Sequence, residues 1–364
     1  MPDVLLFGAT GYTGTLTAAA LQRRGASFVV AGRDRRKLDA LAERTGAAGV
    51  RVAAVGDVDA LSSALSDVSA MITCVGPFMD LGQTAVEAAI RAGVHYVDSS
   101  GEIDFIDVLA DRYDAPAKNA GIVLAPAMGY DEVPADVGLS RAVEGVSRPI
   151  HVALTHAFPS KASTGTLRTV LGGIAGADAC WVAGGRLERV PIASRRRWAP
   201  MPAPLGPKLG IPMPLAIGRL APVHLELDTF EVYGTSHPVQ AAAMRAGMPV
   251  AKRVLALDIT QRAIDAVLDR RAPGPSPTSR QQDRFTILVE AWSASEWRNV
   301  TLQGVDAYGI TAETLAAGAL KLAREGHDSA GVMAPTQAIG CDLLENVLIN
   351  AGVDIAVYEP VDAA

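Results

Sequence analysis

The stretch that most constrains this chain is Gly8-Ala9-Thr10-Gly11-Tyr12-Thr13-Gly14. It follows an apolar run, Val4-Leu5-Leu6-Phe7, and opens a pattern with Leu16, Ala20 and Leu21 on one helical face. Strand, glycine turn and helix form the context that a phosphate-binding loop needs. Gly8 permits the tight turn, Gly11 lets backbone approach a pyrophosphate, and Gly14 allows the helix to pack closely on the strand. The pyrophosphate then sits at the helix N-terminus, where unpaired N–H groups and the helix dipole favour an anion. The spacing is GxxGxxG and not the commoner GxGxxG, so by itself the loop also reads as a glycine-rich turn that binds nothing.

The next 120 residues or so continue the same alternation. Apolar runs at 28–31, 50–55, 70–75, 96–98 and 121–125 are separated by helical patterns. The chain has 364 residues, 49% hydrophobic and 20% charged, which suggests about two domains with ample core. The fold class expected is α/β: a Rossmann, doubly wound parallel sheet, followed by a second α/β domain. Ligands of such a sheet collect outside the strand C-termini. Residues 8–14, Arg33, Asp57, 74–78, 98–102 and 128–131 all fall on that edge.

The tip of the second strand, Gly32-Arg33-Asp34, bears on cofactor choice. A carboxylate there commonly holds the ribose 2′-OH of NAD, whereas an Arg accommodates a 2′-phosphate. Gly32 leaves room, Arg33 can contact phosphate and adenine, and Arg35, Arg36 and Lys37 add positive potential. Asp34 reads as the N-cap of a helix over 35–44, so NADP (as NADPH) is expected over NAD. At the third strand end, Asp57, with Val58 beside it, either reaches the adenine amino group or caps the helix over 60–65. At the fourth, Cys74, Val75, Gly76 and Phe78 let a nicotinamide ribose approach the backbone. With Gly8, Thr10, Gly11, Tyr12, Thr13 and Gly14, these are the expected cofactor-binding residues.

Charge and cysteine usage exclude other classes. The balance of 33 basic against 39 acidic residues, net −6, argues against a nucleic-acid partner. Cys74, Cys180 and Cys341 are far apart, with no CxxC spacing and no adjoining His cluster. That pattern gives no support for a metal site and fits a reducing compartment. No basic n-region precedes the first strand, and no apolar run reaches the ~18 residues of a spanning helix. The localisation expected is cytoplasmic.

An ordered series of motifs now resembles a known group: Gly-Ala-Thr-Gly-Tyr-Thr-Gly at 8–14, Ala-Gly-Arg at 31–33, Cys-Val-Gly-Pro-Phe at 74–78, Tyr-Val-Asp-Ser-Ser-Gly-Glu at 96–102, and Ala-Met-Gly-Tyr-Asp-Glu-Val-Pro-Ala-Asp at 127–136. The series resembles the saccharopine dehydrogenase-like oxidoreductases, notably the branch of the mycobacterial trans-acting enoyl reductases. The resemblance implies an NADP-binding Rossmann domain, a second α/β domain with a mixed or antiparallel sheet, and C-terminal helices that return to the first. It implies no single reaction, since members act on a C–N bond or, by assignment, on a C=C bond. A short-chain dehydrogenase mechanism fits poorly, because Tyr113 and Lys118 are not in Tyr-x-x-x-Lys spacing.

In the remainder, 131–136 reads as a helix start with Asp131 as N-cap, and 150–158 as a strand whose His156 either faces a substrate cleft or, as is commoner for a lone His in a strand, is structural. A helix entry is expected at 163–168. The segment 199–223 holds seven prolines, many Leu, Ile and Met, and no acid, so neither helix nor strand is expected there. It reads as a lid over an apolar substrate, as a second-subunit contact that would make a homodimer, or as a buried irregular connection. A strand at 223–233, helices within 240–268, a hairpin of 284–292 with 297–305, and helices at 311–325 and 335–350 complete the reading. The expected domains are 1–135 with 335–364, and 136–334.

The function expected is an NADPH-dependent oxidoreductase with enoyl-reductase-like hydride transfer to an apolar, unsaturated substrate of lipid or polyketide type. The alternatives are a non-catalytic NADPH-binding module and a saccharopine-type C–N oxidoreductase, which needs cations such as Arg168 and Arg195 to Arg197 for several carboxylates. Tyr130, Asp131, Glu102 and Cys74 are the candidate proton donors, although the carboxylates also read as helix caps and Cys74 as merely small.

Overall fold

The computed structural model describes residues 2–168, 178–255, 257–268 and 270–360. Of the helix expected to begin at 163–168, only 164–168 lie within the described residues. Contacts divide the chain into two compact units. The first runs through Val133 and resumes over Tyr308–Ala351; the second is Pro134–Ala307 with the stretch from Gly352. The return to the first unit thus begins at Tyr308 and not at 335, and the chain from Gly352 goes with the second.

The first unit is built on strands β1 (Val4–Phe7), β2 (Phe28–Gly32), β3 (Gly49–Val52), β4 (Ala70–Thr73), β5 (His95–Asp98), β6 (Val123–Ala125) and the short β15 (Gly331–Val332). Every pairing is parallel, in the order β15-β6-β5-β4-β1-β2-β3. β1, β2, β4 and β6 are buried throughout, as continuous apolar runs covered on both faces should be. The order reverses between β1 and β4, which makes a crevice at their C-terminal ends. Helices α1 (Tyr12–Arg23), α2 (Arg35–Thr45), α3 (Val58–Ala64), α4 (Phe78–Ala92), α5 (Ile103–Val108) and α6 (Asp114–Ala120) connect the strands, and helix Ala307–Glu325 packs on α1. Glu313 there meets Arg23 at 2.6 Å and Arg24 at 2.9 Å, and Tyr308 sets its ring edge-on to Tyr12 with centroids 5.1 Å apart.

The second unit begins in α7 (Val133–Val143) and carries β7 (His151–Ala157), β8 (Ala179–Ala183), β9 (Arg186–Val190), β10 (Arg197–Ala199), β11 (Lys208–Pro212), β12 (Thr229–Ser236), β13 (Arg284–Trp292), β14 (Trp297–Val305) and β16 (Asp354–Tyr358). The sheet is mixed. β12 and β7 run parallel, and the other pairings are antiparallel, in the order β10-β11-β12-β7-β13-β14-β16 with β8 and β9 branching from β12. Neighbours on β13 point to opposite faces. Val289 meets α7, where a methyl on Gly138 would lie 3.1 Å from it, while Leu288 packs with Ala157, Ala199 and Met201. His156 is fully buried between Phe158 and Phe285, and burial pushes its pKa down to about 3, so it is a neutral core residue.

Four local expectations are corrected. Segment 199–223 is not irregular: it contributes the end of β10, all of β11, and a helix, Ile217–Leu220. Its prolines are harmless because they lie where no ladder donor is needed, with Pro200, Pro202, Pro204 and Pro207 between β10 and β11 and Pro212 ending β11. Its apolar side chains, among them Met201, Leu209, Ile211 and Leu220, fill the unit's own core. The strand expected at 223–233 lies at Thr229–Ser236, since 221–223 form a 3-10 turn. The helix expected from Thr311 starts at Ala307. Asp131 does not cap α7, which starts at Val133 after a turn closed by Val133 N–H donating to Gly129.

Candidate functional site

The glycine loop is explained residue by residue. Gly8 has φ of 76°, where a side chain would be strained, and a methyl on it would lie 2.6 Å from Val75. A methyl on Gly14 would lie 2.3 Å from the Gly8 carbonyl oxygen, so α1 rests directly on the strand end. Gly11 is exposed and serves as N-cap of α1, and a methyl on it would meet only the Gly8 oxygen, at 3.2 Å. Thr10 is also exposed, and Tyr12 and Thr13 are half-buried.

The helix starts along this edge are not alike. Asp34 Oδ1 accepts the Lys37 N–H at 3.1 Å and caps α2; Asp57 Oδ1 accepts the Ala60 N–H at 2.9 Å and caps α3. Glu102 reaches across from the end of β5 to take the Phe78 and Met79 N–H groups of α4 at 2.9 and 2.8 Å. Three helices are therefore closed by carboxylates. α1 has no side-chain cap and no acid in its first turn. Its dipole is left for an external anion.

The cations at the tip of β2 separate in the same way. Arg35 pairs with Asp39 at 2.9 Å and Lys37 lies 3.6 Å from Asp34. Arg33 and Arg36 are exposed and have no ion-pair partner among the described residues. With Asp34 and Asp57 both committed to caps, the free charge beside β2 is positive. At the end of β4, Val75 is half-buried against Gly8 and Gly76 is exposed. Phe78 turns inward: it is 6% exposed and packs on Phe105 with centroids 5.8 Å apart. Val58 is half-buried in the first turn of α3.

The candidate proton donors lie at the ends of β4, β5 and β6. Cys74 is held near Thr17 at 3.9 Å, and burial pushes its thiol up to about 12, with a smaller upward push from Asp98. A thiol so held is a poor donor near neutrality. Glu102 spends both oxygens on α4. Tyr130 is half-buried, and its N–H donates to Thr311 Oγ1 at 3.1 Å. Asp131 folds back over Gly129 and beside Gly101; methyls there would lie 2.6 and 3.5 Å from its two carboxyl oxygens. Although the residue is only half-buried, its carboxyl is enclosed, and burial raises its pKa to about 6 against a hydrogen bond from its own backbone.

Two supports of this turn are illegible in the local sequence. Asp98, fully buried, accepts the Tyr96 hydroxyl at 2.7 Å, the Ser100 N–H and hydroxyl at 2.8 and 2.6 Å, and the Ala127 N–H at 3.1 Å. Burial raises its pKa, and those hydrogen bonds oppose the rise. From helix Ala307–Glu325, Thr314 donates to the Met128 carbonyl at 2.6 Å. Among the described residues no cluster of His, Cys, Asp and Glu could hold a metal, and no helix is long and apolar enough to cross a membrane.

Comparison with known proteins agrees with this geometry. Residues 4–124 match the family described as the saccharopine dehydrogenase NADP binding domain. A lipid droplet localized protein of Caenorhabditis elegans is 32% identical over 211 residues, 52% of this chain and 49% of that protein. A saccharopine dehydrogenase-like oxidoreductase of Homo sapiens is 25% identical over 154 residues, 37% of this chain and 36% of that one. A trans-acting enoyl reductase of Mycobacterium ulcerans is 30% identical over 143 residues, 38% of this chain and 34% of that one. The matched stretches thus span about half or less of each relative's length. Among solved structures, apo saccharopine dehydrogenase (L-Glu forming) from Saccharomyces cerevisiae matches 99% of this chain and 100% of its own, with a TM-score of 0.60 at 14% identity, a likeness of fold. Residues 4–124 are therefore an NADP-binding domain of the saccharopine dehydrogenase type, in a chain whose relatives include saccharopine dehydrogenase-like oxidoreductases.

Proposed function

We propose that the chain is an NADPH-dependent reductase of an apolar, unsaturated acceptor. The observation that carries the reading is the uncapped start of α1 beside an unpaired Arg33, while the neighbouring helix starts are closed by Asp34, Asp57 and Glu102. Gly8, Thr10, Gly11, Tyr12, Thr13 and Gly14 take the pyrophosphate, Arg33 takes the 2′-phosphate, and Val75 and Gly76 flank the nicotinamide ribose. Asp57 and Phe78 serve by holding α3 and α4 in place. Gly8 and Gly14 shape the loop, because side chains there would collide with the protein itself, and the exposed Gly11 leaves backbone open to the cofactor.

Bound NADPH supplies a hydride. The chain must then orient the acceptor and deliver one proton to the atom adjacent to the reduced carbon. Of the four candidates, Asp131 suits this best: it is enclosed, not committed to a helix cap, and holds its proton up to a pH of about 6. It gives the proton to the acceptor and regains it from solvent. The similarity to a trans-acting enoyl reductase and to a lipid droplet localized protein supports an apolar acceptor. Saccharopine-type chemistry is less favoured, because two of the candidate cations for a dicarboxylate, Arg195 and Arg197, have partners within the second unit. Arg197 lies 2.5 Å from Glu290, and Arg195 stacks over Trp181 at 5.2 Å.

The test is loss of NADPH absorbance on addition of enoyl thioesters, imines and ketones in parallel. Oxidation with the enoyl thioester and not with imines is the expected result. Tight NADPH binding without turnover of any acceptor would favour a non-catalytic module.

A further inference from the structure

Two parts of the proposed site sit on different strands of the nucleotide unit. The glycine loop follows β1, and the turn that carries Tyr130 and Asp131 follows β6, with β4 and β5 between them in the sheet. With three strand spacings between them, those strand ends lie about 14 Å apart. The sheet sets the separation only coarsely, because residues 126–132 are loop and turn. Misplacing a reacting group by about 1 Å costs on the order of 10²-fold in rate. A proton donor on such a turn works only if the turn is fixed.

The helix Ala307–Glu325 fixes it. That helix starts beside the glycine loop, where Tyr308, 9% exposed, sets its ring against Tyr12. Thr311, Thr314 and Gly318, spaced i, i+3 and i+7, share the stripe that meets the turn. Gly318 makes room for Met128, whose Cε would lie 2.8 Å from a methyl there, and Thr314 donates to the Met128 carbonyl. One helical turn nearer the start, the hydroxyl of the buried Thr311 accepts the Tyr130 N–H at 3.1 Å. Asp98 thus grips the turn at Ala127, Thr314 at Met128, and Thr311 at Tyr130, next to Asp131.

We propose that Thr311 is a positioning residue: through the Tyr130 N–H it places the Asp131 carboxyl against the cofactor held by the glycine loop, from the same helix whose Tyr308 steadies that loop. The assignment rests on Asp131 as the proton donor. Thr311 acts through the backbone of its neighbour and not on the reacting atoms. A contact that served folding alone would, when lost, lower stability without changing how the native enzyme divides binding from turnover.

Thr311→Val keeps the shape of the side chain and removes the acceptor. With NADPH and an enoyl thioester it should lower kcat by about 10²-fold and leave NADPH affinity unchanged. Enclosure is what raises the Asp131 pKa to about 6, so loosening the turn should also move the falling limb of the pH profile to lower pH. It should likewise flatten the melting temperature between pH about 4 and 6, a readout that needs no acceptor. Thr311→Ser, which keeps the hydroxyl, should restore all three. Tyr308→Leu should divide the other way, weakening NADPH and NADH by about three- to tenfold with the limb unmoved.

Wild-type kcat with an unmoved limb in Thr311→Val would overturn the assignment. So would loss of NADPH binding along with turnover, a Ser variant no better than Val, or a limb that moves equally in Tyr308→Leu. Asp131→Asn, assayed beside them, keeps the result separate from the donor reading. A slow Asn variant beside an unaffected Thr311→Val strikes Thr311 alone, whereas wild-type turnover in the Asn variant strikes the donor reading and the assignment with it.

Discussion

The Asp98 carboxylate accepts the Ala127 N–H at 3.1 Å and so secures an alanine at φ 63°, in the left-handed region that costs a side-chain-bearing residue. The same carboxylate ties the end of β5 to the turn that presents Tyr130 and Asp131. Asp98→Ala removes the acceptor for the Tyr96 hydroxyl, the Ser100 N–H and hydroxyl, and the Ala127 N–H, all inside the core. An orphaned buried donor costs about 1–3 kcal/mol, so we expect a loss on the order of 3 kcal/mol or more. The two units need not melt together, so the transition to follow is the one that NADPH shifts upward. Asp98→Asn, which keeps one oxygen acceptor, should lose less. An Ala variant that melts with wild type would contradict the role.

Gly14 and Gly11 should fail in different ways. Gly14 is pressed on the Gly8 carbonyl oxygen, and a methyl at 2.3 Å from backbone cannot be relieved by moving a side chain. Gly14→Ala should therefore lower the melting temperature of the nucleotide unit, by about 1–3 kcal/mol of stability. Gly11 faces outward and would meet only the Gly8 oxygen, at 3.2 Å. Gly11→Val should leave a folded unit that no longer binds NADPH or NADH, because its side chain occupies the anion's approach to the start of α1. Circular dichroism melts paired with cofactor titrations separate the two outcomes. Gly11→Val protein that still binds either cofactor would remove the loop from the site.

What was legible in the chain depended on locality. Continuous apolar runs at the first strands and a looser alternation at 284–292 and 297–305 announced the parallel sheet and the hairpin, because burial of a strand writes itself into nearby residues. Asp34 as a cap was legible for the same reason, three residues from its donor. Glu102 was not, since it closes a helix start 24 residues earlier in the chain. Nor was Thr314, which steadies Met128 from 186 residues away. The segment 199–223 misled because its proline content suppresses both helix and strand propensity, yet the prolines are placed at strand ends and turns, where tertiary packing overrides propensity.

Arg33 tests the cofactor assignment. Arg33→Ala should weaken NADPH by about one to three kcal/mol, the size of a lost charge-assisted pair, and leave NADH nearly unchanged. Arg35→Ala is the control, because Arg35 already pairs with Asp39 and should matter little to either cofactor. Fluorescence titrations with both cofactors give the comparison. Equal losses for NADPH and NADH in the Arg33 variant would take the 2′-phosphate away from this residue.

Asp131 makes the site sensitive to pH in a direction that can be worked out. Its carboxyl titrates near 6 in the folded chain, against an ordinary 3.8 once unfolded. Between those values the native chain holds a proton that the unfolded chain has released, so this group's contribution to stability is present below about 3.8 and is lost as pH rises toward 6. As proton donor, Asp131 must be protonated, so kcat/KM for an enoyl thioester should fall above a pH of about 6, by about tenfold per unit. Asp131→Asn should slow turnover by about 10²–10⁴-fold and abolish that falling limb. It should also flatten the melting temperature between pH 4 and 6, a change that needs no acceptor, and leave NADPH affinity intact. A falling limb that survives in the Asn variant would move the proton to another group, with Tyr130 next in line at the same turn.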